Sequence, residues 1–264
     1  MTKTHQEIST ANQKEGADAA ESLAHYTGAP VPPPARTDGP WLIVFWRSDI
    51  AKKWLMALSG LALIGFVIVH MIGNLKLFIG KADINEYAEW LRTLGHPVLP
   101  DQVVLWIMRV GLLAAVVVHI AAAASLTITN RKARPVRYQS RRDYAAANFA
   151  SRTMRWTGII VLLFIIYHLL DLTWGVGNSS WRSGEVYDNI ITSFQRWPVA
   201  IFYIIANMAL AFHIFHGFSS MFASLGWSNP RLSVLQKNGA IGIAAIILIG
   251  NVSMPLLVVT GVYP

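Results

Sequence analysis

Residues 54–78 read WLMALSGLALIGFVIVHMIGNLKLF, with Lys76 as the single charged side chain. At about 1.5 Å of rise per residue, a helix of this run spans the roughly 30 Å hydrocarbon core of a bilayer. Four more apolar stretches follow: Val103 to Thr127, Trp156 to Trp174, Pro198 to Ala223 and Gly239 to Tyr263. The expected fold is therefore an all-α membrane protein with five transmembrane helices. The whole chain agrees. Of 264 residues 54% are hydrophobic and 14% charged, against about 25% charged in ordinary soluble domains. Pro255 is expected to kink the last span.

Two domains are expected: a flexible polar tail over residues 1–40, containing Val31-Pro32-Pro33-Pro34, and a membrane domain over residues 41–264. The tail has no apolar core of a secretory signal. It is long enough to reach a partner. Trp41 to Trp46 is too short to span and is expected along the interface, and Asp83 to Leu94 is expected as a short surface helix broken at Gly95-His96-Pro97. His96 reads as a solvated loop residue.

Loop charge sets the orientation. Between the second and third spans lie Arg131, Lys132, Arg134, Arg137, Arg141, Arg142, Arg152 and Arg155, with Asp143 the lone acid. Arg47, Lys52 and Lys53 precede the first span, and Arg231 and Lys237 follow the fourth. The remaining loops carry Asp83, Glu86, Glu89 and Asp101, then Glu185 and Asp188. The positive-inside rule places the N-terminus in the cytoplasm and the C-terminus outside. The net charge of +8 is thus accounted for by lipid and topology, with no nucleic acid required. The absence of cysteine rules out disulfides, thiolate metal sites within the chain and covalent c-type haem.

Four of the five spans each carry a histidine at similar fractional depth: His70, His119, His168 and His213. Ionisable groups at such depth are costly and mark function. Going outward, His70 lies roughly 24 Å past Trp54 and His168 roughly 18 Å past Trp156. Going inward, His119 lies roughly 24 Å past Val103 and His213 roughly 22 Å past Pro198. Depth pairs His70 with His168 in the outer half and His119 with His213 in the inner half. A lone intramembrane histidine often serves as a hydrogen-bonding residue between helices. Two depth-matched pairs instead suit axial ligation of two b haems, with iron levels roughly 12–15 Å apart. His216, one turn past His213, either bonds a propionate or water or simply packs.

Other residues fit around such groups. Gly60, Gly65, Gly73, Gly111, Gly158 and Gly217 offer small surfaces to a flat ring, although close helix packing uses glycine too. Lys53 and Arg155 at inner helix ends can pair with propionates or snorkel. Arg109 either snorkels outward or meets the outer propionates or a quinone.

The order of short motifs resembles the cytochrome b membrane-anchor subunit of succinate dehydrogenases and fumarate reductases (respiratory complex II), in its single-chain, five-helix, two-haem form. The resemblance runs from about Lys53 to Ala223. It rests on Ser59-Gly60 with His70-Met-Ile-Gly-Asn74, on His119, on Arg155-Trp-Thr157-Gly158 with His168-Leu-Leu-Asp171, and on Phe212-His213-Ile-Phe-His216-Gly217-Phe-Ser-Ser220 with Gly226-Trp227. It implies haem ligation by all four histidines, in the pairing depth already suggests, and extends cofactor binding to Ser59, Lys53 and Arg155. It also implies a flavoprotein subunit that handles succinate or fumarate and an iron–sulfur subunit, both on the cytoplasmic side of the cell's inner membrane.

The expected function is electron transfer from that iron–sulfur partner, through the inner and then the outer haem, to membrane quinone (menaquinone or ubiquinone). Asp171 and Asn74 are the quinone-site candidates, because quinone reduction takes up protons, and Tyr167 and Trp174 are placed to stack on the ring. An inner pocket near Arg47 and Ser48 competes, and a solvated helix-end role competes for Asp171. Alternatives stay open: the anchor of a hydrogenase or formate dehydrogenase, a histidine pair holding a Rieske-type cluster with partner cysteines, or a non-redox transporter. Quinone type, reaction direction and any higher oligomer stay open as well.

Overall fold

A computed structural model describes residues 39–133, 145–227, 229 and 231–263, the side chains of residues 145–152 excepted. The Pro-rich tail, together with Arg134, Arg137, Arg141 and Arg142, lies outside the described residues. The chain divides into two units, residues 1–44 and residues 45–264. The first contributes the start of helix α1 (Trp41–Arg47), whose Ile43 and Val44 amides both donate to the Pro40 carbonyl.

The second unit holds α2 (Asp49–Asn74), continued by a 3-10 turn (Leu75–Phe78), then α3 (Lys81–Thr93), α4 (Val103–Lys132) and α5 (Ala145–His168). A π-helical turn (Leu169–Thr173) extends α5 and is followed by α6 (Val186–Phe194), α7 (Trp197–Ser224) and α8 (Ser233–Val259). All regular structure among the described residues is helical. The segments Asp49–Phe78, Val103–Lys132, Thr153–Thr173, Trp197–Ser224 and Ser233–Val259 are long and apolar enough to cross a membrane, as the sequence led us to expect.

Helix ends follow local chemistry rather than hydropathy. α2 begins before its apolar run because the Ser48 side chain accepts from the Ala51 amide and Asp49 sits in the first turn, both of which favour a helix N-terminus. Pro198 stands in the first turn of α7, where a missing amide proton costs nothing. α8 starts at Ser233, six residues ahead of its apolar run, and runs on through Pro255. It ends as Gly261 takes a left-handed φ of 71°, a common helix stop.

α2 packs on α4, α5 on α7, and α7 on α8; α2 also reaches α7 and α8. Neither α2 with α5 nor α4 with α7 packs along its length. Of α4, only Ala122 and Leu126 are buried.

One end of the bundle is sealed by α3 and α6. Leu77, Ile84, Ile190, Ile191 and Phe194 join Tyr203, Met254 and Val258 in one apolar cluster. Gly73 admits the Tyr87 ring, which lies 2.6 Å from where a Cβ would stand. Polar clasps fix the two capping helices. The Tyr187 amide donates to Asn85 Oδ1 at 3.1 Å. Lys81 Nζ lies 2.6 Å from Asp188 and 3.2 Å from Glu185, and these two carboxylates raise its pKa above the ordinary lysine value. His96, expected as a solvated loop residue, is exposed beside Asp101.

Candidate functional site

The four histidines meet as two pairs. The ring centres of His70 and His168 are 5.8 Å apart with planes at 90°. Those of His119 and His213 are 6.3 Å apart at 69°. Each pair joins two helices that do not otherwise pack together, α2 with α5 and α4 with α7. The described residues contain no cluster of three or more potential ligands drawn from His, Cys, Asp and Glu, so each level offers two imidazoles and nothing more.

The spacing passes a simple test. A metal gripped by one nitrogen of each ring at about 2 Å, with roughly 1 Å from nitrogen to ring centre, sets the centres roughly 6 Å apart. Both pairs meet that figure. The free nitrogens are also the right ones. His119 Nδ1 lies 3.1 Å from the Met56 carbonyl oxygen and 3.2 Å from Ser59 Oγ. A carbonyl only accepts, so Nδ1 carries the proton and Nε2 keeps its lone pair. At His213 the Thr157 hydroxyl lies 3.3 Å from Nδ1 and gives its own proton to the Thr153 and Met154 carbonyls, so it accepts from Nδ1 and again leaves Nε2 with its lone pair. Fixing one ring nitrogen by a carbonyl so that the other can ligate is the usual outer support of a metal-bound histidine.

The backbone makes room for both rings. A Cβ on Gly60 would stand 3.2 Å from His119 Cε1, and one on Gly158 3.4 Å from His213 Cε1. These two glycines thus seat imidazoles, and Gly73 seats Tyr87, rather than each facing a flat macrocycle. Gly65 and Gly111 have nothing within 4 Å of a built Cβ. Gly60 lies ten residues before His70, and Gly158 ten before His168. The two histidine levels are therefore about 15 Å apart along the helices.

A repeat underlies this symmetry. One constant offset in residue number relates Met56, Ser59, Gly60, Phe66 and His70 to Met154, Thr157, Gly158, Phe164 and His168. Phe66 stacks on His70 at 5.2 Å, and Phe164 tilts against His168 at 5.7 Å. The first and third spans are thus built on one pattern, each lending a hydroxyl and a glycine to the histidine of the helix that follows it. The motif was in plain view in the sequence, where comparing the two spans with each other would have exposed it.

Asp171 is not a solvated helix-end acid, the alternative raised from sequence. The π turn carries it inward, with the Trp174 amide bonding the Leu169 carbonyl five residues back, and its exposure is 0%. Arg196 Nη2 donates to its Oδ1 at 2.5 Å, and the Tyr203 hydroxyl donates to its Oδ2 at 3.2 Å. Arg196 and Tyr203 were missed. Arg196 stands at the end of a loop and Tyr203 within an apolar run, and neither belongs to a local motif. Asn74 ends α2, half-buried, and makes no capping bond to the 3-10 turn. Tyr167, Pro198, Val199 and Phe202 line a groove of about 220 Å³, with Tyr167 and Phe202 at 4.8 Å. Trp174 lies exposed outside it.

Of the helix-end cations, Lys53 and Arg155 are exposed. Lys52 is the buried one, paired with Asp49 at 3.2 Å. Arg109 lies over the Trp106 ring at 5.0 Å. His216 keeps a ring nitrogen, Nε2, enclosed without a hydrogen-bond partner.

Fold and geometry together define a multi-pass helical membrane protein with two histidine pairs joined across its bundle. Residues 127–252 match the family described as succinate dehydrogenase/fumarate reductase transmembrane subunit, which supports that family for this chain. The match covers α5 to α7 and most of α8, and so includes His168 and His213. No curated protein and no solved structure matches the chain.

Proposed function

We propose that this chain is the membrane-anchor cytochrome b of a succinate:quinone oxidoreductase or fumarate reductase, holding one b haem between His70 and His168 and a second between His119 and His213. The observation that carries the reading is the pair of ring separations, 5.8 and 6.3 Å, each across helices that do not pack together. The family match over residues 127–252 favours this complex over other quinone-linked anchors and over a transporter. When bound, the two haems supply single-electron steps at two depths. The dicarboxylate chemistry belongs to a flavoprotein and an iron–sulfur partner on the cytoplasmic side of the inner membrane, where α1 and the basic loops lie under the positive-inside rule.

The chain's own residues do the rest. Met56 and Ser59 hold the His119 ring, and Thr157 the His213 ring, with Nε2 available. Gly60 and Gly158 let those rings sit against backbone. Tyr203 and Asp171 set up the other level. The groove lined by Tyr167 and Phe202 is the quinone site in this reading, because it adjoins the buried acid–hydroxyl pair of Asp171 and Tyr203. Both Asp171 oxygens and the Tyr203 proton are already engaged, so in this reading the network shapes the wall of the groove rather than donating to a quinone carbonyl.

A reduced-minus-oxidised spectrum with a pyridine haemochrome assay of the purified complex tests the reading. Two b haems per chain and co-purifying flavin are expected; a complex without haem overturns it. A narrower check follows from the glycine seats. Gly60→Val drives a branched side chain into the His119 ring, and haem content should fall from about two per chain toward one. Loss of support around a ligand typically costs 10–100-fold in affinity. Unchanged haem content in that variant would show that Gly60 does not seat the ring.

A further inference from the structure

The two histidine levels are built from one repeated pattern but are anchored differently. At the first, the Nδ1 atoms of His119 and His213 face the Ser59 and Thr157 hydroxyls, whose own protons go to main-chain carbonyls, and His119 Nδ1 also meets the Met56 carbonyl. At the second, His168 Nδ1 faces the Tyr203 hydroxyl at 3.5 Å, the long end of hydrogen-bond range. That hydroxyl leads on to Asp171, Asp171 to Arg196, and Arg196 to Ser193 Oγ at 3.0 Å and to the Gly177 carbonyl. Asp171 and Ser193 are 0% exposed and Tyr203 is 3% exposed.

We infer that Tyr203, backed by the Asp171–Arg196 pair, is a positioning residue for His168, and that it makes the His70/His168 site electronically unlike the other. The inference rests on the haem reading above. Proton bookkeeping supplies the direction. The Tyr203 proton is committed to a carboxylate oxygen, which in the ion pair only accepts. Toward His168 the hydroxyl oxygen can then only accept, so Nδ1 carries its proton and Nε2 is left for ligation. A carboxylate standing behind that hydroxyl polarises it. The Nδ1 proton is drawn away from the ring, and the imidazole becomes a stronger donor through Nε2 than a ring whose hydroxyl partner is backed by neutral carbonyls. Hydrogen bonding behind an axial ligand is one of the levers that set a haem's potential. Stronger donation favours the oxidised metal and lowers that potential.

The phenol is held independently of any ligand. Its ring meets Phe164 at 5.1 Å, Phe194 at 4.9 Å and Tyr167 at 6.0 Å. Tyr203→Phe therefore deletes the hydroxyl while keeping the packing. Asp171→Asn with Arg196→Gln removes the ion pair as a unit and leaves the hydroxyl in place.

The experiment is a potentiometric titration of the intact complex, followed by visible absorption and by electron paramagnetic resonance of the two ferric signals. The signal lost in His213→Ala identifies the other level. In Tyr203→Phe the midpoint of the His70/His168 component should rise and its resonance position should shift, with the second component unmoved. The double variant should move the same component the same way, by less. Tyr203→Phe with two haems, both midpoints and both resonances unchanged overturns the inference alone. A shift confined to the His119/His213 component also overturns it. A wild-type complex without haem overturns the proposed function, and this inference with it.

Discussion

His213→Ala should leave a complex with one haem per chain in place of two, and should lower quinone reduction with succinate by at least about 100-fold. Removing a group that merely supports a metal ligand costs 10–100-fold in affinity, and His213 is a ligand in this reading. The ring it opposes, His119, would keep its bonds to Met56 and Ser59 with nothing across from it. The His70/His168 level lies about 15 Å away and shares none of these contacts, so its absorption band should persist. The measurement is a haemochrome assay with turnover on the same preparation. Two haems retained with normal turnover would rule out ligation by this pair.

The second large effect concerns stability. Asp171→Ala strips the partner from Arg196, which is one-third exposed at its side chain, while Asp171 itself is fully enclosed. Breaking a buried ion pair from one side costs about 3–5 kcal/mol, and the partial exposure of Arg196 puts this case near 3 kcal/mol. For a chain of this size that lowers Tm by roughly 6–12 °C. Tyr203 would lose its acceptor as well, and Arg196 would keep only Ser193 and the Gly177 carbonyl. The double variant Asp171→Leu, Arg196→Met should recover most of the loss, because removing both charges leaves none unpaired. Thermal scans of the purified complex compare the three proteins. A single-variant Tm within about 1 °C of wild type would show that the pair does not hold this end of the bundle.

The five spans were legible because an unbroken apolar run of about twenty residues matches the thickness of a bilayer and little else. The histidine pairing was legible because helix rise turns residue number into depth, and the structure brings the same two couples together. What failed to show was everything that depends on a turn out of register. Asp171 read equally as a quinone-site acid and as a solvated helix-end acid, and the π turn that carries it inward is what removes the second reading. Arg196 gave no local signal, since its partner lies twenty-five residues earlier. Tyr203 was one aromatic among several in an apolar run. Lys52 and Lys53 are adjacent, and hydropathy cannot tell which of the two turns in toward Asp49.

The repeated pattern in the first and third spans has an architectural consequence. The unit of α2 and α4 donates one imidazole to each level, and so does the unit of α5 and α7. Neither half owns a complete site. In the proposed reading each metal would act as a rivet between the two halves, so taking up the cofactor would tighten the bundle as well as load it.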